Sequence, residues 1–319
     1  MVTGSVSAPA GESAGGTVLK TLADVPHDYR YISTEAEAQD LLKTLMAAPR
    51  VAFDTETTAR EPGMTATDAK TCKLIGFSFA TEKGKAWYVD AGLVDIFRPL
   101  FADPTKTLVG LNVKFDRAVL HRYGIGFAST PHDVMLAHYC LDAAARHGMD
   151  MLAEQYLNYR TIRFSEVAGE QERGKPEPTL FGKDIAKVTD YAAEDADITL
   201  QLEDAIRVKA MALACSASAD TDNKRTTTSS ATPLSALRDV EEPLVKVLLE
   251  MEREGVKIDV GALKEYGREL DREILGFTQE ILKYADPGFN PDSPKQLGEL
   301  LFGKLGLAGG KKTDRKSVV

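Results

Sequence analysis

The apolar run Val51-Ala-Phe53, followed directly by Asp54-Thr-Glu56, constrains the fold of this chain more than any other feature. The apolar run indicates a strand, and alternate residues of a strand project from the same face of a sheet. Asp54 and Glu56 are therefore expected to stand side by side at the end of a strand. Clustered carboxylates repel one another unless they are protonated or share a cation.

Two other segments supply further acidic side chains and a tyrosine. Tyr191-Ala-Ala-Glu-Asp195 lies in a helical pattern, and residues four apart share one face of a helix. Asp116, in Asn112-Val-Lys-Phe-Asp116, provides a fourth carboxylate. A set of four acids without a His or Cys partner suits Mg²⁺ or Mn²⁺. Two-metal sites of that type serve phosphoryl transfer and phosphodiester hydrolysis.

Composition limits the class of protein. The chain has 319 residues, of which 43% are hydrophobic and 27% charged, as expected for a globular protein with one good core and a smaller unit. A net charge of -9 argues against a dedicated nucleic-acid binder, although a metal-dependent nuclease must carry acids. No signal sequence and no apolar run of the roughly 20 residues that span a bilayer is evident. We therefore expect a cytoplasmic protein without a membrane partner.

Hydrophobic periodicity predicts the elements around these acids. Strand patterns occupy 51–56, 74–80, 85–90 and 107–112, and helical patterns occupy 34–47, 134–143, 149–158 and 184–211. Three consecutive strands followed by alternating strand and helix predict an α/β fold with a mixed sheet.

Composition also predicts the domain boundaries. The small polar residues 1–17 are typical of a flexible tail, and a Ser-, Thr- and Ala-rich stretch at 212–235 is typical of a linker. The first domain would then span residues 18–211. A second, mostly helical part would span residues 236–319.

The segments FDTET, NVKFD and YAAEDAD resemble, in order and spacing, the three exonuclease motifs of the proofreading domain of the bacterial DNA polymerase I family, the family A polymerases. The pattern is the tyrosine-containing version of the DnaQ-like exonucleases. The resemblance extends from about Tyr29 to about Leu307. It implies a ribonuclease H-like mixed sheet flanked by helices, and a fragment of the polymerase thumb in residues 236–319. The family's polymerase motifs are not in the chain, so we expect a truncated form whose partners include the remaining polymerase domains.

The resemblance also implies roles for the motif residues. Asp54 would bridge two divalent cations, Mg²⁺ or Mn²⁺, while Glu56 and Asp195 would complete the first site, where Zn²⁺ is an alternative. Asp116 would hold the second cation, which stabilises the departing 3′-oxygen. Tyr191 would aim the attacking water, because a neutral phenol both donates and accepts hydrogen bonds. Glu194 and Asp197 are expected to point elsewhere and to be solvated.

Substrate contacts are implied for four further residues. Phe181 matches a family position that packs on the terminal nucleotides, with a place in the core as the alternative. Asn112 would orient the strand end or the substrate, with a purely turn-forming role as the alternative. Phe115 replaces the family's more usual tyrosine. Arg60 stands where the family has an apolar wedge residue, in a loop at 57–73 that is several residues longer than usual. Either difference would change how the 3′ terminus is seated, with a contact between Arg60 and a phosphate as the alternative.

These features together predict a 3′–5′ exonuclease that removes nucleoside 5′-monophosphates from a single-stranded or frayed 3′ end of DNA. One alternative is an exoribonuclease of the ribonuclease D type, which shares the acids and the tyrosine. The thumb-like segment after residue 236 argues against that alternative. The other alternative is a catalytically inactive domain that only binds and positions DNA.

Overall fold

A single mixed sheet organises the part of the chain that carries the motifs. The structure, a computed structural model, describes residues 18–61, 63–172, 175–219 and 232–307, without the side chains of residues 214–219. Six strands are present in the described residues: β1 (Asp28–Ile32), β2 (Arg50–Thr58), β3 (Lys73–Glu82), β4 (Lys85–Asp90), β5 (Thr107–Gly110) and β6 (His132–Asp133). Their order across the sheet is β1-β4-β3-β2-β5-β6. β2 is central, antiparallel to β3 and parallel to β5.

Helices cover both faces of this sheet. The α-helices of the described residues are α1 (Glu35–Ala47), α2 (Arg98–Ala102), α3 (Val113–Arg122), α4 (Val134–Leu141), α5 (Met149–Leu157), α6 (Phe164–Ala168), α7 (Ile185–Ala219), α8 (Pro233–Ala236), α9 (Glu242–Glu254), α10 (Val260–Leu282) and α11 (Pro294–Gly298). The expected ribonuclease H-like α/β fold is thereby confirmed. None of the described helices combines the length and the apolar character needed to cross a bilayer.

Small side chains let α7 approach the sheet closely. Ala52, Ala80 and Ala86 of the strands are fully buried in one cluster with Ala193 and Ala196 of α7. Ala52 shares its face of β2 with Asp54 and Glu56, because alternate strand residues point the same way. The alanine contact therefore lays α7, with its Tyr191-to-Asp195 segment, over the face of β2 that carries the two acids.

The opposite face of the sheet holds the larger apolar core. Val51 and Phe53 of β2 pack there with Phe77 and Phe79 of β3 and with residues of the helical segments α1, α2 and α3. The rings of Phe53 and Phe101 meet edge to face with centroids 5.5 Å apart. Because β2 is apolar on this face and acidic at the end of the other, the strand both anchors the core and presents the carboxylates.

The described chain forms two compact units, one ending at Glu254 and one beginning at Gly255. The sequence placed the boundary earlier, within 212–235. Residues 212–219 instead continue α7, and residues 220–231 lie outside the described residues, as does the predicted tail at 1–17. Helix α9 belongs to the first unit because it buries Val245 and Leu249 there. Gly255 ends this helix with φ of 72°, a left-handed conformation that favours glycine.

Candidate active site

The two acids of β2 stand where the regular pairing with β3 is interrupted. Asp54 lies opposite Ser78 and Glu56 opposite Gly76, and the register shifts directly after Glu56. Asp54 is half-buried and Glu56 is buried. A β-carbon at Gly76 would lie 2.3 Å from the ring of Tyr88, so only glycine leaves room for this phenol. Strand alternation keeps both carboxylates on one face, and Glu56 lies near the buried Tyr88.

Helix α7 adds the third acid. One oxygen atom from each of Asp54, Glu56 and Asp195 falls within 4.8 Å of the others, a spacing that could hold a metal ion. The Oε1 atom of Glu56 is buried and has no hydrogen-bond partner within the described chain. A buried carboxylate oxygen without a donor is costly. A divalent cation at this point would satisfy that oxygen, so the residues present fit a metal ion.

Electrostatics support the same conclusion. Burial raises the pKa of Asp54 to about 7. Burial and the repulsion from neighbouring acids raise the pKa values of Glu56 and Asp195 well above their usual range. Burial and these same acids also raise the pKa of Tyr191, so its phenol remains neutral at physiological pH. Without a cation, the cluster favours protonated carboxyl groups.

The fourth acid, Asp116, comes from the first turn of α3 and is 2% exposed. The hydroxyl of Thr55 donates a hydrogen bond of 2.5 Å to its Oδ1 atom. Burial, followed by the nearby charge of Asp54, raises the pKa of Asp116 well above its usual range. The structure thus brings Asp116 near Asp54, although it lies outside the group of three acids that share the 4.8 Å spacing.

Asp133 fixes the start of α3. Its carboxylate accepts hydrogen bonds from the backbone N–H groups of Asn112 and Val113 at 3.1 and 2.9 Å. It also caps α4 by accepting from Met135 N–H at 2.9 Å. Because this one buried carboxylate binds the N-termini of both helices, it fixes the position of Asp116 in the first turn of α3.

The residues predicted to contact substrate occupy different environments. Phe181 is 65% exposed, so it is not a core residue. Phe115 is partly buried against the core. Asn112 is exposed, with φ of 67° at the start of α3. Arg60 is exposed and forms no ion pair or hydrogen bond with another residue of the described chain.

Phe181 lies beside Lys73, beyond the two acids of β2. The Lys73 Nζ atom lies over its ring, 5.3 Å from the centroid. Lys73 pairs with Thr58 across the strands, and Thr58 lies two residues beyond Glu56 on the same face of β2. The Thr58 and Thr179 hydroxyl groups are 2.8 Å apart. Phe181 and Lys73 therefore flank the side of the sheet that bears the carboxylates.

Glu194 and Asp197 correct one expectation, since they are buried instead of solvated. Glu194 accepts hydrogen bonds from the Tyr159 hydroxyl at 2.5 Å and Ile162 N–H at 2.6 Å. Asp197 accepts from the Tyr29 hydroxyl at 2.7 Å and from Gly84 N–H at 3.0 Å. Sequence reasoning missed these contacts, and those of Thr55 and Asp133, because the partners are distant in the chain. The one available signal was the density of acids in the third motif.

Comparisons with known proteins agree with this geometry. Residues 29–210 match the family model described as 3′-5′ exonuclease. DNA polymerase I of Pseudomonas aeruginosa is 35% identical over 299 residues, which cover 88% of this chain and 30% of that protein. DNA polymerase I of Rhizobium leguminosarum is 35% identical over 295 residues, which cover 82% of this chain and 26% of that protein.

A solved structure supports the fold. The POL domain of Pol1 from M. smegmatis, in complex with DNA primer-template and dNTP, has a TM-score of 0.60 and 20% identity, covering 89% of this chain and 42% of that one. The chain spans less than a third of the length of the two curated relatives. The matched family model covers more than half of the chain and includes all four acids and Tyr191. The chain therefore belongs to the 3′–5′ exonuclease family found in bacterial DNA polymerase I.

Proposed function

We propose that this chain hydrolyses the terminal phosphodiester at the 3′ end of DNA and releases nucleoside 5′-monophosphates. In the context of a DNA polymerase I, this activity would remove misincorporated nucleotides. The observation that carries the proposal is the cluster of Asp54, Glu56 and Asp195, whose oxygen atoms lie within 4.8 Å of one another. The buried, unpartnered Oε1 of Glu56 supports a cation there.

The donor set suggests how two cations would be held. Asp54, Glu56 and Asp195 would hold the first, and Asp54 with Asp116 the second. Because every donor is a carboxylate oxygen, Mg²⁺ or Mn²⁺ suits the site better than a softer metal. When bound, such cations lower the pKa of water and stabilise charge on the attacking and leaving oxygens.

Protein groups would orient the reactants. The Tyr191 phenol lies beside Asp195, Glu56 and Asp54, and its raised pKa keeps it neutral. A neutral phenol can accept one hydrogen bond from the attacking water and donate another to the phosphate. Phe164 meets the ring of Tyr191 edge to face at 6.2 Å and limits its movement. Tyr191 is therefore proposed to orient the water without removing its proton.

The side chains of Phe181 and Lys73 are suited to bind single-stranded nucleic acid. An exposed ring can stack on any base, and an ammonium group attracts the phosphate backbone. Neither contact reads sequence, as expected for an enzyme that accepts any terminal nucleotide. The relatives named DNA polymerase I support DNA as the substrate. We also propose that residues 236–319 are the first part of a polymerase thumb, and that the remaining polymerase domains are its partners.

Stepwise degradation of an end-labelled oligonucleotide tests the proposal. Single-stranded DNA with a 5′ label is incubated with the protein and Mg²⁺, with EDTA, or with RNA of the same sequence. We expect a ladder that shortens by one nucleotide at a time and that EDTA abolishes. Asp54→Ala is expected to lose at least about 10³-fold in kcat, because removing a group that stabilises transition-state charge has effects of that order.

Asp40→Ala is the matched control, because Asp40 is an exposed acid paired with Lys43 on α1. It should degrade DNA at the wild-type rate. Faster degradation of RNA than DNA would favour the ribonuclease D alternative. Binding of DNA without cleavage by folded wild-type protein would favour an inactive scaffold domain.

A further inference from the structure

A cavity lies beside the first turns of α3, the helix that carries Asp116. Its volume is about 440 Å³, and it lies between the long loop at 67–70, helix α3 and helix α9. Asn112 and Phe115, both expected to contact substrate, line it. So do the cationic side chains of Lys70, Lys114 and Arg253. An aromatic ring beside several cations is the combination that single-stranded nucleic acids require.

Helix α9 closes this cavity on one side. Val245 of α9 is buried in the main core, and Leu249 is 5% exposed and lines the cavity. Glu252, one turn further along, forms an ion pair with Lys114 of α3. Lys114 belongs to the same helix as Asp116, and its neighbours Asn112 and Phe115 line the cavity with it. Helix α9 also lies beyond residue 210, where the match to the exonuclease family ends.

We propose that this cavity binds the phosphate backbone of the single strand upstream of the scissile bond, and that Glu252 competes with this backbone for Lys114. The proposal rests on the proposed function and adds a regulatory contact to it. In the free protein Glu252 neutralises Lys114. When the strand enters, a phosphate replaces the Glu252 carboxylate, and Glu252 turns to solvent.

The exposure of the pair makes this exchange feasible. The side chains of Lys114 and Glu252 are 35% and 49% exposed, so water and salt weaken their attraction. A strand offers several phosphates at once and releases its counterions on binding, which favours it over a single carboxylate. Arg122 does not exchange in this way, because its Nη1 atom donates to the backbone oxygens of Ala69 and Cys72 and holds the loop in place.

We expect a variant without the Glu252 carboxylate to gain affinity for single-stranded DNA, a result that general damage to the fold would not produce. Michaelis constants for single-stranded DNA and dissociation constants from fluorescence anisotropy in EDTA are measured for Glu252→Gln, Lys114→Gln and the double variant. Glu252→Gln is expected to bind about two- to five-fold more tightly at about 50 mM salt, with kcat unchanged and the gain lost near about 200 mM. Lys114→Gln is expected to bind more weakly and with a shallower salt dependence.

Glu254→Gln controls for charge, because it removes one exposed acid from the same helix without touching the ion pair. It should bind DNA as the wild type does. In the double variant the effect of Glu252→Gln should vanish, since Lys114 is its target. Equal gains for Glu252→Gln and Glu254→Gln, or a gain that persists without Lys114, would overturn the inference. Failure of the wild type to cleave DNA would refute the proposed function, while the anisotropy comparison would still decide the competition.

Discussion

The carboxylates of α7 have different roles because they point to different sides of the helix. Successive helical residues are about 100° apart, so Asp195 faces the acids of β2 while Glu194 and Asp197 face away. Each of the latter two accepts one tyrosine hydroxyl and one backbone N–H. Two such anchors, three residues apart, fix the rotation of α7 about its axis. That rotation decides whether Asp195 reaches the cluster.

Removing one of these hydroxyl groups should therefore affect metal binding as well as stability. Tyr159→Phe leaves buried Glu194 with the Ile162 N–H alone, and we expect a loss of roughly 1–3 kcal/mol in the free energy of unfolding. Urea denaturation and calorimetric titration with Mn²⁺ measure the two effects. Tyr156→Phe, which removes only a contact with Lys209, is the control and should change neither. Unchanged Mn²⁺ affinity in a destabilised Tyr159→Phe would show that the anchor is purely structural.

Thr55 has a comparable role for the fourth acid. Its side chain points to the apolar face of β2, so valine fills the same space but cannot donate to Asp116. We expect Thr55→Val to lose roughly 1–3 kcal/mol of stability, because a buried carboxyl oxygen of Asp116 is left without its donor, together with a fall in kcat. Steady-state kinetics and denaturant unfolding provide the measurement. Thr57→Val on the same strand, whose hydroxyl donates to the Ala66 carbonyl, should retain kcat.

At the scale of elements, hydrophobic periodicity predicted the strands and helices whose buried residues recur at a regular spacing. The strands β2, β3 and β4 and the helices α1 and α5 lie within a few residues of their predicted bounds. β1 was not predicted, because its alternating tyrosines and charged residues are only partly covered. The four acids and Tyr191 were recognised from motifs. The hydrogen bonds that hold them in place could not be predicted, because they join residues far apart in the sequence, such as Tyr29 and Asp197.

One such pairing joins β6 to α7 and gives a pH-dependent contribution to stability. His132 Nδ1 lies 3.1 Å from Glu203 Oε1, and this hydrogen bond raises the pKa of His132 despite burial and Arg207. A raised folded-state pKa stabilises the protein below the unfolded value of about 6.5 and loses this contribution as pH rises through the folded value. His132→Gln should therefore cost on the order of 1 kcal/mol at acidic pH and little in alkali.

Thermal or urea unfolding between mildly acidic and alkaline pH measures this difference. His121→Gln is the control, because His121 is exposed and forms no ion pair with a carboxylate of the described chain. Its stability should follow the wild type at every pH. A cost of His132→Gln that is the same in acid and alkali would show that the His132 ring acts through packing instead of charge.

At the scale of the whole molecule, the two units differ in what holds them together. The first unit contains three clusters of buried apolar residues. In the described part of the second unit, Leu300 is the buried apolar residue, and α10 buries none of its side chains. Since buried apolar area is the main source of stability, the cooperative unfolding of the chain should report on the first unit. The carboxylate cluster lies in that unit, so its repulsion and its cations should be visible in the melting temperature.

Magnesium should consequently raise this melting temperature, and neutralising the cluster should reverse the effect. At a Mg²⁺ concentration of about 100 times Kd, binding stabilises the folded state by about 2.7 kcal/mol, or about 5–10 °C for a unit of this size. In EDTA, Asp54→Asn/Glu56→Gln should melt above the wild type, because the wild type must either take up protons or hold repelling charges at these two buried positions. With Mg²⁺ the order should invert, since the variant lacks ligands for the cation. Calorimetry of both proteins in EDTA and in Mg²⁺ measures all four values. If the wild type melted higher in both conditions, the carboxylates would be held by protein contacts alone, and the assignment of the cluster to a metal site would fail.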